Sequence, residues 1–210
     1  KFSVIVAGFV LNELHHASLT AKMDWIKACQ QRLSPGGLLL ILEPALRLTA
    51  EKLTELSDQI SHHDLLHRLA PELDALPCPQ LATGEHWSYE ARPWTAPAAT
   101  AYINRKLHRD LREVRFSFAA FSNKPVTALA PNLARVVSDI QIIKGLLRFI
   151  TIRAGQLETV EVPTRGLSKH DIKVFAAGFN RGDIVAYDQP HTPKLRLPSL
   201  DALKVIWTPQ

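Results

Sequence analysis

The chain has 210 residues, 46% hydrophobic and 21% charged, a composition that excludes a disordered polyelectrolyte and leaves room for one large domain or two small ones. Its two cysteines, Cys29 and Cys78, cannot build a disulfide framework or a four-thiolate zinc site, and they fit a reducing compartment. The net charge of +5 divides unevenly: residues 1–100 hold 8 Lys and Arg against 11 Asp and Glu, whereas residues 101–210 hold 17 against 9, so the second half is the one suited to a polyanion.

Phe2 to Ala7 is almost continuously apolar after Ser3, which predicts a strand buried on both faces. No signal-peptide pattern stands ahead of it, so the expectation is a chain lacking its first residues or a segment of a longer protein. Val10, Leu11 and Leu14 have helical spacing. Ser18 can cap a second helix over 19–33, which Ser34-Pro35-Gly36-Gly37 then stops. Leu38 to Leu42 is a second buried strand within the longest apolar run, far short of the roughly 18 residues of a membrane span. Thr49 to Leu69 reads as a further helix with Leu53, Leu56, Ile60, Leu65 and Leu69 on its buried stripe. Strand, helix, strand, helix with continuous apolar strands predicts parallel strands in an α/β sheet. Ligands collect at the carboxyl ends of such strands, where Asn12, Glu13 and Glu43 stand. His62, His63 and His67 read as a solvated face, since two residues of one helix rarely complete a site, and no metal site is predicted from them.

Five prolines within Ala70 to Pro97 forbid a long helix or a central strand. With His86, Trp87, Tyr89 and Trp94 present, this segment is expected to be an ordered loop: a lid over the carboxyl edge of the sheet, or a structural strap. Ala98 to Arg112 reads as a helix whose Arg105, Arg109 and Arg112 share one face. Val114 to Phe121 alternates like a half-buried strand. Short β-rich runs follow at 134–137, 145–153, 157–162 and 183–187, with a hairpin turn at Arg153-Ala154-Gly155-Gln156 and a Ser168-capped helix over 167–179. These predict a second unit over 128–210, after an α/β unit over 1–127: a small, partly open β-barrel of the oligonucleotide-binding sort, or a β-sheet appendage. Arg135, Lys144, Arg148 and Arg153 join the three helix arginines as candidate RNA contacts. Phe149, Phe175, Phe179 and Tyr187 are expected mostly in the core, so the charge for single-strand binding is visible and the exposed aromatic is not.

Val4 to Leu14, with Leu11-Asn12-Glu13-Leu14 closing a hydrophobic strand, and Leu33 to Pro44, with Pro35-Gly36-Gly37 before a strand ending Glu43-Pro44, resemble the fourth and fifth strands of a class I S-adenosylmethionine-dependent methyltransferase. The wording is similar to the methyltransferase-like family associated with the small subunit of the mitochondrial ribosome and its bacterial relatives. Leu76-Pro77-Cys78-Pro79, the Trp87 segment, Arg92-Pro93-Trp94, Val114 to Phe118, Arg135 to Asp139, Lys144-Gly145 and Arg181-Gly182-Asp183 follow in the same order. The resemblance implies a partial Rossmann-like sheet with 114–121 as an antiparallel sixth strand, then a small β-rich module. It implies methyl transfer to an RNA nucleophile, a ribosomal partner, and a bacterial cytoplasm or mitochondrial matrix. The Gly-rich turn and the acidic residue that hold the cofactor in that family would both precede Lys1, so Asn12 and Glu13 supply only the methyl-side edge of a site. Family members often carry several cysteines around the Cys-Pro segment; only Cys78 lies there, and no iron–sulfur cluster is predicted.

Three functions are compatible with this pattern: a methyltransferase-like protein acting on or assembling the small ribosomal subunit, a non-catalytic ribosome-assembly or RNA-binding protein that kept the fold, and a small-molecule methyltransferase with the Pro/Trp-rich segment as substrate lid.

Overall fold

A computed structural model of the chain describes residues 1–14, 16–84, 86–109, 111–125, 127 and 129–208. It is a mixed α/β structure built on two mixed sheets. In the first, strands β1 (Phe2–Gly8) and β2 (Leu33–Pro44) are parallel and joined through helices α1 (Val10–Glu13) and α2 (Leu19–Arg32). The Ser18 side chain caps α2 by accepting from the Ala21 N–H. β2 starts earlier than the apolar run predicts, because the Ser34-Pro35-Gly36-Gly37 turn is absorbed as a register shift against β1, with Gly36 at φ +75°.

Helix α3 (Arg47–His62) is seven residues shorter at its end than the expected 49–69. The cause is tertiary. Asp64 takes a left-handed φ of 51°, the Leu65 N–H returns to the Ile60 carbonyl, and 67–70 leaves the helix to become strand β3 (His67–Ala70), paired with β5 (Glu113–Ser122). His63 and His67 therefore do not share a helix. β5 lies antiparallel to β2, as expected of the 114–121 run.

The Pro-rich segment is ordered. It holds a short helix α4 (Pro79–Thr83) and a strand β4 (Glu90–Pro93) that pairs with the amino-terminal half of β5, with Pro93 at its end where no further ladder bond is needed. Helix α5 (Ala98–Lys106) stops six residues before Arg112, since His108 turns left-handed at φ 51° and the Arg112 carbonyl already accepts the Trp94 N–H beside β5.

Pleat alternation divides the first sheet into two faces. Ile5, Ala7, Leu39, Ile41, Ala119 and Phe121 point toward Met23, Ile26, Leu53, Leu56 and Ile60 and form a closed core. The opposite face carries Phe2, Val4, Val6 and Leu38, all exposed, beside half-buried Leu40, Leu42 and Phe118. Val6 is 59% exposed. The outer edge of β1 pairs with no strand among the described residues. No described helix is long and apolar enough to cross a membrane.

The second sheet runs β11-β9-β8-β6-β10-β12, with β7 beside β8: β6 (Leu133–Val136), β7 (Gln141–Ile143), β8 (Leu146–Arg153), β9 (Gln156–Pro163), β10 (Ile184–Ala186), β11 (Lys194–Arg196) and β12 (Lys204–Trp207). β11 lies parallel to β9, and the described pairings leave β11 and β12 as separate edges. The three-residue β7 and β11 and the short β12 carry too little alternation to be read from sequence. Helix α6 (Lys169–Ala177) has a reciprocal Ser168–Asp171 capping box and packs Ile172 and Phe175 onto the core of Val136, Phe149, Val160, Phe179 and Tyr187.

The β8–β9 hairpin turns through Ala154 (φ 48°) and Gly155 (φ 69°), two left-handed residues that suit the twist of the flanking strands. A Cβ on Gly155 would lie 2.9 Å from two Leu76 carbons of the Pro-rich segment. Gly155→Ala is expected to destabilise the fold by about 1–2 kcal/mol, read as a lower urea midpoint; an unchanged midpoint would show that this turn does not press on Leu76.

Candidate functional site

The carboxyl ends of β1 and β2 are joined by one buried carboxylate. Glu43, at the end of β2, accepts the Leu11 N–H at 2.7 Å and the Asn12 N–H at 3.2 Å. The chain reaches that position through Phe9, a non-glycine residue at φ 60°, whose N–H bonds the Leu42 carbonyl. Burial pushes the Glu43 carboxyl above the usual carboxylate range, and the two N–H donors pull it part of the way back. Of the three polar groups expected at this crevice, Glu43 is thus spent on holding backbone. Asn12 is half-buried and Glu13 exposed at the rim.

A second polar concentration lies where the two sheets meet. Arg135 of β6 is fully enclosed and donates to Glu90 of β4 at 2.6 Å, to Glu72 at 3.1 Å and to Ser88 at 3.4 Å. Burial works against its charge, and the two carboxylates outweigh it, so the guanidinium stays protonated. Arg92 donates to Glu90 at 2.6 Å and to the Arg181 carbonyl at 3.1 Å. Gly182 makes this approach possible: a Cβ there would stand 2.2 Å from a Glu90 oxygen. Nearby, Asp58 pairs with Arg68 at 3.0 Å and accepts the Cys78 N–H, while burial pushes the Cys78 thiol up and keeps it unreactive. The Pro-rich segment therefore acts as a strap between the sheets, with Trp87 Nε1 donating to the Ala45 carbonyl.

A third cluster is internal to the second sheet. Glu158, wholly buried, accepts from Arg153 at 2.6 Å, from the Tyr187 hydroxyl at 2.6 Å and lies 2.7 Å from His191 Nδ1. Burial and the Glu158 charge push the Tyr187 hydroxyl up, so it remains a donor.

The seven arginines and lysines expected to face RNA are not one surface. Arg135 and Arg153 are buried ion-pair partners, and their charge is neutralised inside the fold. Arg148 pairs with Glu161, its direct cross-strand neighbour, at 2.7 Å. Lys144 is exposed on the β7–β8 turn. Arg105 is exposed on α5, whereas Arg109 and Arg112 follow the helix end, so the three do not form a helical face. Register within the hairpin was the signal that could have found the Arg148–Glu161 pair. The Arg135 pairing spans more than forty residues to either acid, which no local pattern records. Among the expected aromatics, Phe149, Phe179 and Tyr187 are core residues. Among the described residues, no group of three or more His, Cys, Asp or Glu side chains is placed to hold a metal ion.

Arg135→Met would leave Glu72 without its cation and Glu90 with Arg92 alone, and is expected to cost about 3–5 kcal/mol of stability; urea denaturation checks this, and a loss below about 1 kcal/mol would contradict a buried bridge. Burial acts to raise the Glu158 carboxyl, but hydrogen bonds from Arg153, Tyr187 and His191 outweigh it and hold it below the usual range. A carboxyl depressed in the folded state contributes stability that is complete above the unfolded value, about pH 4.3, and that disappears as pH falls through the folded value. The urea midpoint should therefore drop as pH falls below about 4.3, and Glu158→Gln, less stable at neutral pH, should show a smaller drop.

The chain matches no protein-family model and no curated protein sequence.

Proposed function

We propose that this chain is the carboxyl-terminal part of a class I S-adenosylmethionine-dependent methyltransferase-like protein that acts on, or assembles, the small ribosomal subunit. The sequence motifs resemble those of that family. The structural observation that supports it is the first sheet itself: parallel β1 and β2 end at a crevice rimmed by Asn12 and Glu13, yet among the described residues the β1 edge is unpaired and Phe2, Val4, Val6 and Leu38 are bare. Parallel strands are ordinarily covered on both faces. Further strand–helix units beside β1 would bury those side chains and supply the other walls of the crevice. The antiparallel β5 next to β2 agrees with the antiparallel strand that the resemblance implies.

The residues present do not by themselves fit S-adenosylmethionine. Glu43, the buried acid at the crevice, is committed to the Leu11 and Asn12 N–H groups, which leaves only the Asn12–Glu13 rim for a ligand. What this chain contributes is a rigid wall that orients, since the buried Glu43 fixes the β1–α1 turn against the end of β2. That same commitment favours the second reading, a ribosome-assembly or RNA-binding scaffold without the chemistry, since the buried carboxylate at the end of β2 is taken up by backbone N–H groups.

Calorimetric titration of S-adenosylmethionine into the 210-residue chain is expected to give no saturable heat. A longer form that adds a Gly-rich turn and an acidic residue on preceding strands should bind it. Absence of binding in that longer form would overturn the enzymatic reading in favour of the scaffold.

A further inference from the structure

We infer that the exposed face of α5 is a contact site for single-stranded RNA, with Tyr102 stacking on a base and Arg105 and Lys106 holding the adjoining phosphates. The inference rests on the RNA-associated reading above and names the surface that makes the contact. It begins in the sequence: Arg92, Arg105, Lys106 and Arg109 precede the first acids of this stretch, Asp110 and Glu113, which offset part of their charge. Helix α5 then places Arg105 and Lys106 three and four residues after Tyr102, on the same face. The Lys106 ammonium lies 5.6 Å from the centroid of the Tyr102 ring. Tyr102, Arg105, Lys106 and His108 line a groove of about 490 Å³, and the left-handed turn at His108 ends the helix there.

Burial on this helix is inverted. Its buried residue is Asn104, while Tyr102 is 56% exposed and Ile103 and Leu107 stand out beside it. A helix that simply packs on a core does the opposite. Basic residues in the last turn are accounted for by the helix dipole alone, but an outward aromatic between them is not. Neither Arg105 nor Lys106 has an acidic partner among the described residues. Groove binding to a single strand requires cations for the phosphates and an accessible π-face for a base. Phe149, Phe179 and Tyr187 of the second sheet are buried in its core, whereas the Tyr102 ring stands exposed beside two cations. An acidic protein would find the cations equally attractive but would have no use for the ring.

Fluorescence anisotropy of a labelled twelve-nucleotide single-stranded RNA, titrated with the full chain at several salt concentrations, tests this. Because the face is exposed, its variants should fold, with circular dichroism as the check. Tyr102→Ala should weaken binding about tenfold, with Tyr102→Phe retaining it, and Lys106→Gln should lower the salt slope by about 0.7. If the wild-type chain binds no RNA, the RNA-associated reading fails together with the site. If it binds and the three variants bind equally well, only the site is overturned. Displacement of the RNA by polyglutamate, with no dependence on Tyr102, would also overturn it and mark the face as a surface for acidic protein.

Discussion

Arg135 leaves the second sheet and enters a pocket made by the strap and β4 of the first, where Glu72 and Glu90 close on it from two sides. Removing three charges from water is expensive, and their mutual attraction, the Ser88 hydroxyl and Arg92 on Glu90 repay it. The arrangement therefore tolerates little displacement. Any slip of one sheet against the other would leave a bare charge in a dry place. The surrounding features follow from that demand: Gly182 has no side chain because Glu90 and Arg92 occupy its space, and the prolines of the strap keep the segment from helical or central-strand alternatives.

The same constraint separates two kinds of positive charge. Arginines drawn into the seam or the hairpin serve the fold, since each has a carboxylate within reach and Arg135 and Arg153 are shielded from solvent as well. Among the described residues, Arg105 and Lys106 of α5 have no such partner. The +8 balance of the second half is thus not one basic surface, because part of it is cancelled by partners inside the protein. The first sheet shows an imbalance of another kind, a closed core on one face and bare apolar side chains on the other. Hydrophobic residues on both faces of a strand are the pattern of a doubly covered sheet, and the described residues cover one.

Much of the first unit was legible because its elements announce themselves locally. Val4 to Ala7 of β1 and Leu38 to Leu42 of β2 are apolar runs, Ser18 caps α2, and Ala154-Gly155 marks the hairpin turn. The ends of α3 and α5 were not legible. Residues 65–69 fit a helical stripe well, but the β5 ladder offered them partners that a solvent-exposed helix end lacks. Arg105, Arg109 and Arg112 have ideal helical spacing, yet a left-handed His108 breaks the run. At the candidate site, Asn12, Glu13 and Glu43 were found from their place at strand ends, whereas the use of Glu43 as a clamp depends on how β1 and β2 lie side by side.

The parallel pair, the helix starts, the hairpin and the division into an acidic and a basic half are written locally along the chain, because periodicity, capping and turn chemistry act over a few residues. Which charges are spent and which are offered depends on packing. Glu43, Glu72 and Glu90 look alike in one dimension, as do Arg105 and Arg135. Their fates differ through burial and through partners dozens of residues away, and desolvation is a property of the packed chain rather than of any segment.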